Sequence, residues 1–326
     1  MSVIGVTGCV TAVLNLDVRE RAGPARNGSD SIRRPGQADS GPVVSTRDSL
    51  LRRCFGGWSM RVVIVGLGKS GTTALLYAVR AAMPADTQLL FEPRSYVAVQ
   101  GPNVAAKVLL HPAHPVEQRF FRQFDRVVLL VRDPRDVLIS RALYRIFGAT
   151  RLLTDPARLD VYMALLRAKE ADPRSVSMLR INTLFERLVG SQVHSDAGRQ
   201  RMLDDAIAFH DAFPDCLVYR YEAMVGGQFD ALAGYLSLDA SAMRPDVPAE
   251  LGRVVRSRRA GSWRDWFCDA DVAHYRPLLS AYMRRYGHED DWMLDPAPVI
   301  RSEECTGYVE RLLLERRGGR PASATH

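Results

Sequence analysis

Eight residues, Gly66-Leu67-Gly68-Lys69-Ser70-Gly71-Thr72-Thr73, set three glycines, one lysine and three hydroxyls between an apolar run and a helical pattern. Glycines let main-chain N–H groups approach an anion, and a helix starting there adds partial positive charge. The chemistry on offer is the holding of a phosphate-like group. The spacing fits more than one template. Gly66, Gly68 and Gly71 satisfy the G-x-G-x-x-G of dinucleotide loops, and Glu92 follows Gly71 by 21 residues, where such a site wants an acid. Gly66 and Gly71 also have the spacing of an NTPase phosphate loop, but Thr72 stands in its lysine position. A tight strand–helix turn with a solvated Lys69 is a third reading. The lysine bears on the choice. The chain has 44 basic residues, of which only Lys69, Lys107 and Lys169 are lysines, and one of these lies inside the glycine loop. A dinucleotide loop holds pyrophosphate on backbone and helix dipole and has little use for it.

Other segments carry chemistry at a distance from the loop. Arg132-Asp133-Pro134-Arg135-Asp136 follows an apolar strand, and Ser140 stands eight residues after Arg132. An arginine fork at a strand end and a hydroxyl two turns into a helix can grip one phosphate together. Alone, the same charges read as a salt-bridged helix cap. Further on come Arg220-Tyr221-Glu222-Ala223-Met224 and Arg256-Ser257-Arg258-Arg259-Ala260-Gly261-Ser262-Trp263. By itself Tyr221 reads as a core or rim aromatic.

Together these segments resemble the sulfotransferase superfamily that uses 3′-phosphoadenosine 5′-phosphosulfate (PAPS), over about Met60–Trp292. Lys69–Thr73 is similar to that family's K-S-G-T-T 5′-phosphosulfate loop. The resemblance implies that Lys69, Ser70, Gly71, Thr72 and Thr73 bind the 5′ end, that Arg132 and Ser140 bind the 3′-phosphate, and that Tyr221 contacts adenine. The 256–263 segment resembles the family's R-K-G-x-x-G-D-W, which makes Arg256 a further 3′-phosphate ligand and Arg258 a weaker one. Here Ser257, Arg258 and Ser262 replace the family's Lys, Gly and Asp. Ala74 also stands where many cytosolic members have a tryptophan stacked on adenine.

The implied reaction moves a sulfuryl group from PAPS to an acceptor hydroxyl and releases 3′-phosphoadenosine 5′-phosphate (PAP). Lys69 would stabilise charge on the leaving oxygen. A general base is also needed. Glu92, in Phe91-Glu92-Pro93, resembles the F-E-P segment of carbohydrate sulfotransferases. His111 lies near where cytosolic small-molecule members carry a histidine, with His114 a weaker candidate. The implied partner is a small-molecule or glycan acceptor, a carbohydrate or glycolipid among them. The mechanism requires no metal. A Rossmann-type NAD(P) oxidoreductase and a non-catalytic PAP-binding protein are the alternatives.

Positioning these residues falls to alternating elements. Arg61–Val65, Leu89–Phe91, Val104–Leu110, Arg126–Val131 and Cys216–Tyr219 read as strands, and the runs after the first and fourth read as helices. Arg126–Val131 is apolar throughout, as suits a strand buried on both faces. The expected fold class is α/β, a single domain with a P-loop NTPase-like parallel sheet and helices on both faces. It spans 60–295. Residues 1–59, of which Ala22–Val44 is rich in Gly, Pro, Ser and Arg, read as a disordered extension, and 296–326 as a tail with one short helix, about Thr306–Arg316.

Composition narrows the rest. The net charge is +7 from 44 basic and 37 acidic residues, and the arginines are dispersed, which argues against nucleic acid. No apolar run approaches the ~20 residues of a membrane span. The start lacks a basic region ahead of its apolar stretch, so a secretory signal is not expected. Five scattered cysteines without C-x-x-C spacing point to a reduced, cytoplasmic compartment and to no zinc site.

Overall fold

Strand β1 (Met60–Leu67) shows why the chain forms a covered sheet. Val63, Val65 and Leu67 point into one hydrophobic cluster, while Met60, Val62 and Ile64 point into another. Side chains alternate along a strand, so an unbroken apolar run must be covered on both faces. The computed structural model describes residues 59–111, 116–190, 195–288 and 290–318. Apart from Ser59, the expected extension over 1–59 lies outside the described residues, as does His114.

After β1 come α1 (Thr72–Ala82), β2 (Gln88–Phe91), β3 (Asn103–Leu110), α2 (Gln118–Phe121) and β4 (Arg126–Val131). Next are α3 (Pro134–Tyr144), α4 (Thr150–Leu153), α5 (Pro156–Ala171), α6 (Met178–Val189) and α7 (Asp196–Ala212). The chain continues with β5 (Leu217–Arg220), α8 (Tyr221–Val225), α9 (Asp230–Leu236), α10 (Trp263–Trp266), α11 (Asp269–Arg285) and α12 (Thr306–Arg316). Five strands form one sheet in the order β2-β3-β1-β4-β5, and every neighbouring pair is parallel. The fold is α/β with helices over both faces, as the alternating elements lead one to expect. One cluster draws on α1, α8 and α9; the other, larger one draws on α3, α5–α7 and α10–α12.

In parallel α/β sheets ligands sit beyond the carboxyl ends of the strands. There β1 runs into the glycine loop and α1, and β4 into Arg132 and α3. Register adds two more residues. Leu67 pairs with Leu110, so His111 leaves β3 beside the loop. Phe91 pairs with Lys107, which itself pairs with Ile64, so Glu92 leaves β2 three residues before that level.

Helix starts follow local chemistry. The Asp133 carboxylate accepts from Arg135 N at the head of α3, and Pro134 occupies its first turn. These set the start of α3 at Pro134, directly after the strand end. The last helix docks rather than hangs free: Tyr308, Val309 and Leu312 of α12 are fully buried in the larger cluster.

Candidate functional site

The glycine loop holds an open helix end. Gly71 takes φ +98° and caps α1 without any side-chain hydrogen bond. The first N–H groups of α1 are therefore left to a ligand or water. At α3, by contrast, the Asp133 side chain fills the equivalent place. A side chain at position 71 is excluded twice over. The backbone is left-handed, and a Cβ would stand 2.6 Å from Tyr221 Cδ2. Lys69 is also left-handed, at φ +74°.

The Lys69 ammonium is half-buried and engaged. Nζ donates to the Val254 carbonyl at 2.7 Å and to Tyr308 Oη at 3.5 Å, and it lies 3.9 Å from the Tyr144 ring centroid. Burial holds its pKa well below the usual lysine value, and the charges of Arg132, Arg256, Lys107 and Arg141 add to the effect. Two of the loop hydroxyls also have protein partners: Ser70 donates to the Leu67 carbonyl (2.7 Å), and Thr73 Oγ1 accepts from Lys107 Nζ (2.7 Å). Thr72 is buried at the first position of α1.

Arg132 connects the loop to the second motif. Its Nη1 donates to the Lys69 carbonyl at 3.1 Å, its guanidinium lies 3.9 Å from the Tyr221 ring centroid, and Asp136 is 3.9 Å away. Glu222 accepts from Asp133 N at 2.9 Å and fixes the strand end. Tyr221 is thus wedged between Gly71 and Arg132, with only 5% of its surface exposed. An adenine contact would have to use the ring's edge. Ser140 is buried one turn beyond Asp136 on α3.

Asp136 is fully buried and accepts from Gly261 N (2.8 Å), Ser262 Oγ (2.9 Å) and Trp263 N (2.9 Å). Ser262 Oγ in turn accepts from Arg256 Nη2 at 2.9 Å. The 256–263 segment is tied to α3 in this way. Arg256 lies 3.6 Å from Glu304, which also pairs with Arg259 at 2.7 Å. Burial, then Arg132, lowers the Arg256 pKa. Among the described residues, Arg132 Nε and Arg256 Nε and Nη1 are buried without a hydrogen-bond partner. Of these, Arg256 Nη1 still faces Glu304 at 3.6 Å; buried guanidinium N–H groups without a hydrogen bond are costly, and they fit an anionic ligand. Arg258 is exposed.

Glu92 takes φ +44° and makes an ion pair with Lys107 at 2.6 Å while 43% of its side chain remains exposed. Its pairing partner is this lysine and not Arg94 or another arginine. One ammonium therefore joins Glu92 to Thr73 of the loop. His111 is half-buried at the same edge.

Sequence reasoning brings together Lys69, Arg132, Tyr221 and Arg256, but it misses Tyr144, Lys107, Asp136, Glu304 and Tyr308. The scarcity of lysine was a signal that could have found Lys107. For Tyr308 and Glu304, which arrive from the last helix and the turn before it, no local pattern gives notice. Among the described residues, no group of three His, Cys, Asp or Glu gathers as a metal site, and no helix is long and apolar enough to cross a membrane.

No protein-family model matches the chain. No curated protein matches it either. Among solved structures the chain is similar to mouse sulfotransferase SULT7A1 complexed with PAP, at 16% identity and a TM-score of 0.41, over 68% of this chain and 84% of that one.

Proposed function

We propose that the protein is a PAPS-dependent sulfotransferase acting on an acceptor hydroxyl. The observation that carries this reading is convergence. Lys69, Arg132, Tyr221 and Arg256, drawn from four separate segments, meet around one open helix N-terminus. The strand order supports it against the dinucleotide alternative. Dinucleotide folds pair β1 directly with β2, whereas here β3 lies between them, and Glu92 is engaged by Lys107.

PAPS supplies the sulfuryl group: the acceptor oxygen forms the new S–O bond, and the old bond breaks with its electron pair left on the phosphate oxygen of PAP. The N–H groups at the head of α1 and the Thr72 hydroxyl hold the 5′-phosphate. Arg132 and Arg256, with Ser140 of α3, hold the 3′-phosphate, the two arginines through the Nε–H groups that have no hydrogen-bond partner. Lys69 leaves the Val254 carbonyl and places its ammonium on the leaving oxygen. Glu92 takes the acceptor proton, and Lys107 keeps its carboxylate at the loop. His111, beside the same loop, is the alternative base.

A second reading, a PAP-binding protein without transfer, is favoured by one observation: Lys69 is held by Val254 and Tyr144. Titration calorimetry with PAP and NAD, followed by a labelled-sulfate acceptor screen, separates the possibilities. The expected outcome is PAP binding without NAD binding. Lys69→Ala should keep PAP affinity within about tenfold and lose transfer by about 10²–10³-fold. NAD binding in place of PAP overturns the proposal; PAP binding with no transfer to any acceptor favours the second reading.

A further inference from the structure

Between α3, α6, α7 and α11 lies a cavity of about 40 Å³. One water needs about 10–15 Å³ on such a measure, so the space suits one carboxylate-, sulfate- or phosphate-sized group. Its walls are apolar except for Asn182 and three arginines, Arg141, Arg145 and Arg199, and no Asp or Glu lines it. Arg199 pairs with Asp196 at 2.7 Å, but that carboxylate also faces His274 at 2.9 Å. Arg145 lies over the Phe185 ring at 3.9 Å and reaches the Ile181 carbonyl at 3.4 Å. Among the described residues, neither Arg141 nor Arg145 forms an ion pair. The Glu186 carboxylate also acts on Arg145, so three guanidinium groups around an apolar space have two carboxylates between them, Asp196 and Glu186, and form a cationic site short of one anion. The Arg141 pKa is pushed down to about 10 by burial and then by Arg145 and Arg199, as a crowded cation's should be.

The cavity adjoins the loop through Arg141. A Cβ on Gly68 would stand 3.2 Å from Arg141 Nη1, so the missing side chain at 68 lets the guanidinium lie against the loop backbone. That contact is one residue from Lys69. An oxyanion held by Arg141 would share that guanidinium with the loop backbone.

We propose that this cavity takes an oxyanion carried by the acceptor, a carboxylate or a sulfate or phosphate ester, so that the compound sulfated is itself acidic. The proposal rests on the sulfotransferase reading for the word acceptor, though not for the anion site. The test is calorimetric titration with D-glucuronate, D-glucose and inorganic sulfate, with and without saturating PAP, on wild type, Arg141→Met and Arg145→Met. Glucuronate should bind and glucose should not, and each arginine variant should weaken glucuronate about tenfold or more while retaining PAP. Arg145→Met, farther from the loop, serves if Arg141→Met does not fold. Sulfate binding without glucuronate binding overturns the acceptor assignment. No anion binding to wild type, or binding unchanged in both variants, overturns the site. Absence of PAP binding is a separate failure, that of the transferase reading, and leaves the glucuronate result to stand by itself.

Discussion

Lys107, which no motif picks out, joins two parts of the candidate site. It is buried in β3 to 4% exposure, and its ammonium reaches both Glu92 (2.6 Å) and Thr73 (2.7 Å). A lysine within the apolar strand Asn103–Leu110 has no local partner, and its use is decided by the register that sets Phe91 opposite it. The sequence marks it as rare but not as paired. We expect Lys107→Met to lower kcat by about 10–100-fold, inside the range for general base catalysis, with PAP affinity changed less than about threefold. Glu92→Gln should lower kcat at least as far, and adding Lys107→Met to it should cost little more, because the two act as one unit. Steady-state kinetics of the three variants checks this.

At the scale of elements, the segment Arg132–Asp136 divides its labour. Asp133 and Arg135 form the helix cap and its ion pair at 2.7 Å, and Arg135 stacks 3.9 Å from Trp263. Arg132 and Asp136 face the loop and the 256–263 segment. The cap reading of the motif therefore holds for Asp133 and Arg135, and the ligand role proposed above falls to Arg132. Asp136→Asn weakens three hydrogen bonds and removes the charge facing Arg132. A loss of about 2–3 kcal/mol is expected, a Tm fall of roughly 4–12 °C, together with about tenfold or more weaker PAP binding. Arg135→Gln should lower Tm and leave PAP binding near wild type. Differential scanning fluorimetry with PAP calorimetry distinguishes them. Strands and long helices were legible because hydrophobic period is a local property. The ties from Asp136 to Gly261, Ser262 and Trp263 were not, because they join positions 125 to 127 residues apart.

At the scale of the whole molecule, stability carries a titrating group. His288 is buried after α11, with Arg220 Nη2 3.2 Å from its Nδ1, and burial first pushes its pKa from 6.5 to about 4. The folded protein keeps it neutral while the unfolded chain protonates it. Between pH 6.5 and 4 the unfolded state therefore binds more protons, and stability falls as pH falls. The loss from this group is about 2 kcal/mol by pH 5. Thermal unfolding of wild type and His288→Gln at pH 7 and pH 5 checks it: the variant should lose less Tm on acidification. Beyond residue 295, α12 packs in the larger core cluster through Tyr308, Val309 and Leu312.

That packing has a consequence for how the protein is made. Lys69 and Tyr308 are 239 residues apart. Synthesis at about 5–20 residues per second therefore takes some 10–50 s to deliver the tyrosine after the lysine. During that interval every strand of the sheet has been made, and the lysine has no Tyr308 beside it. Until residues 302–316 emerge, Arg256 and Arg259 likewise lack Glu304. An emerging chain thus meets the cell with its glycine loop already translated and its cover still unwritten.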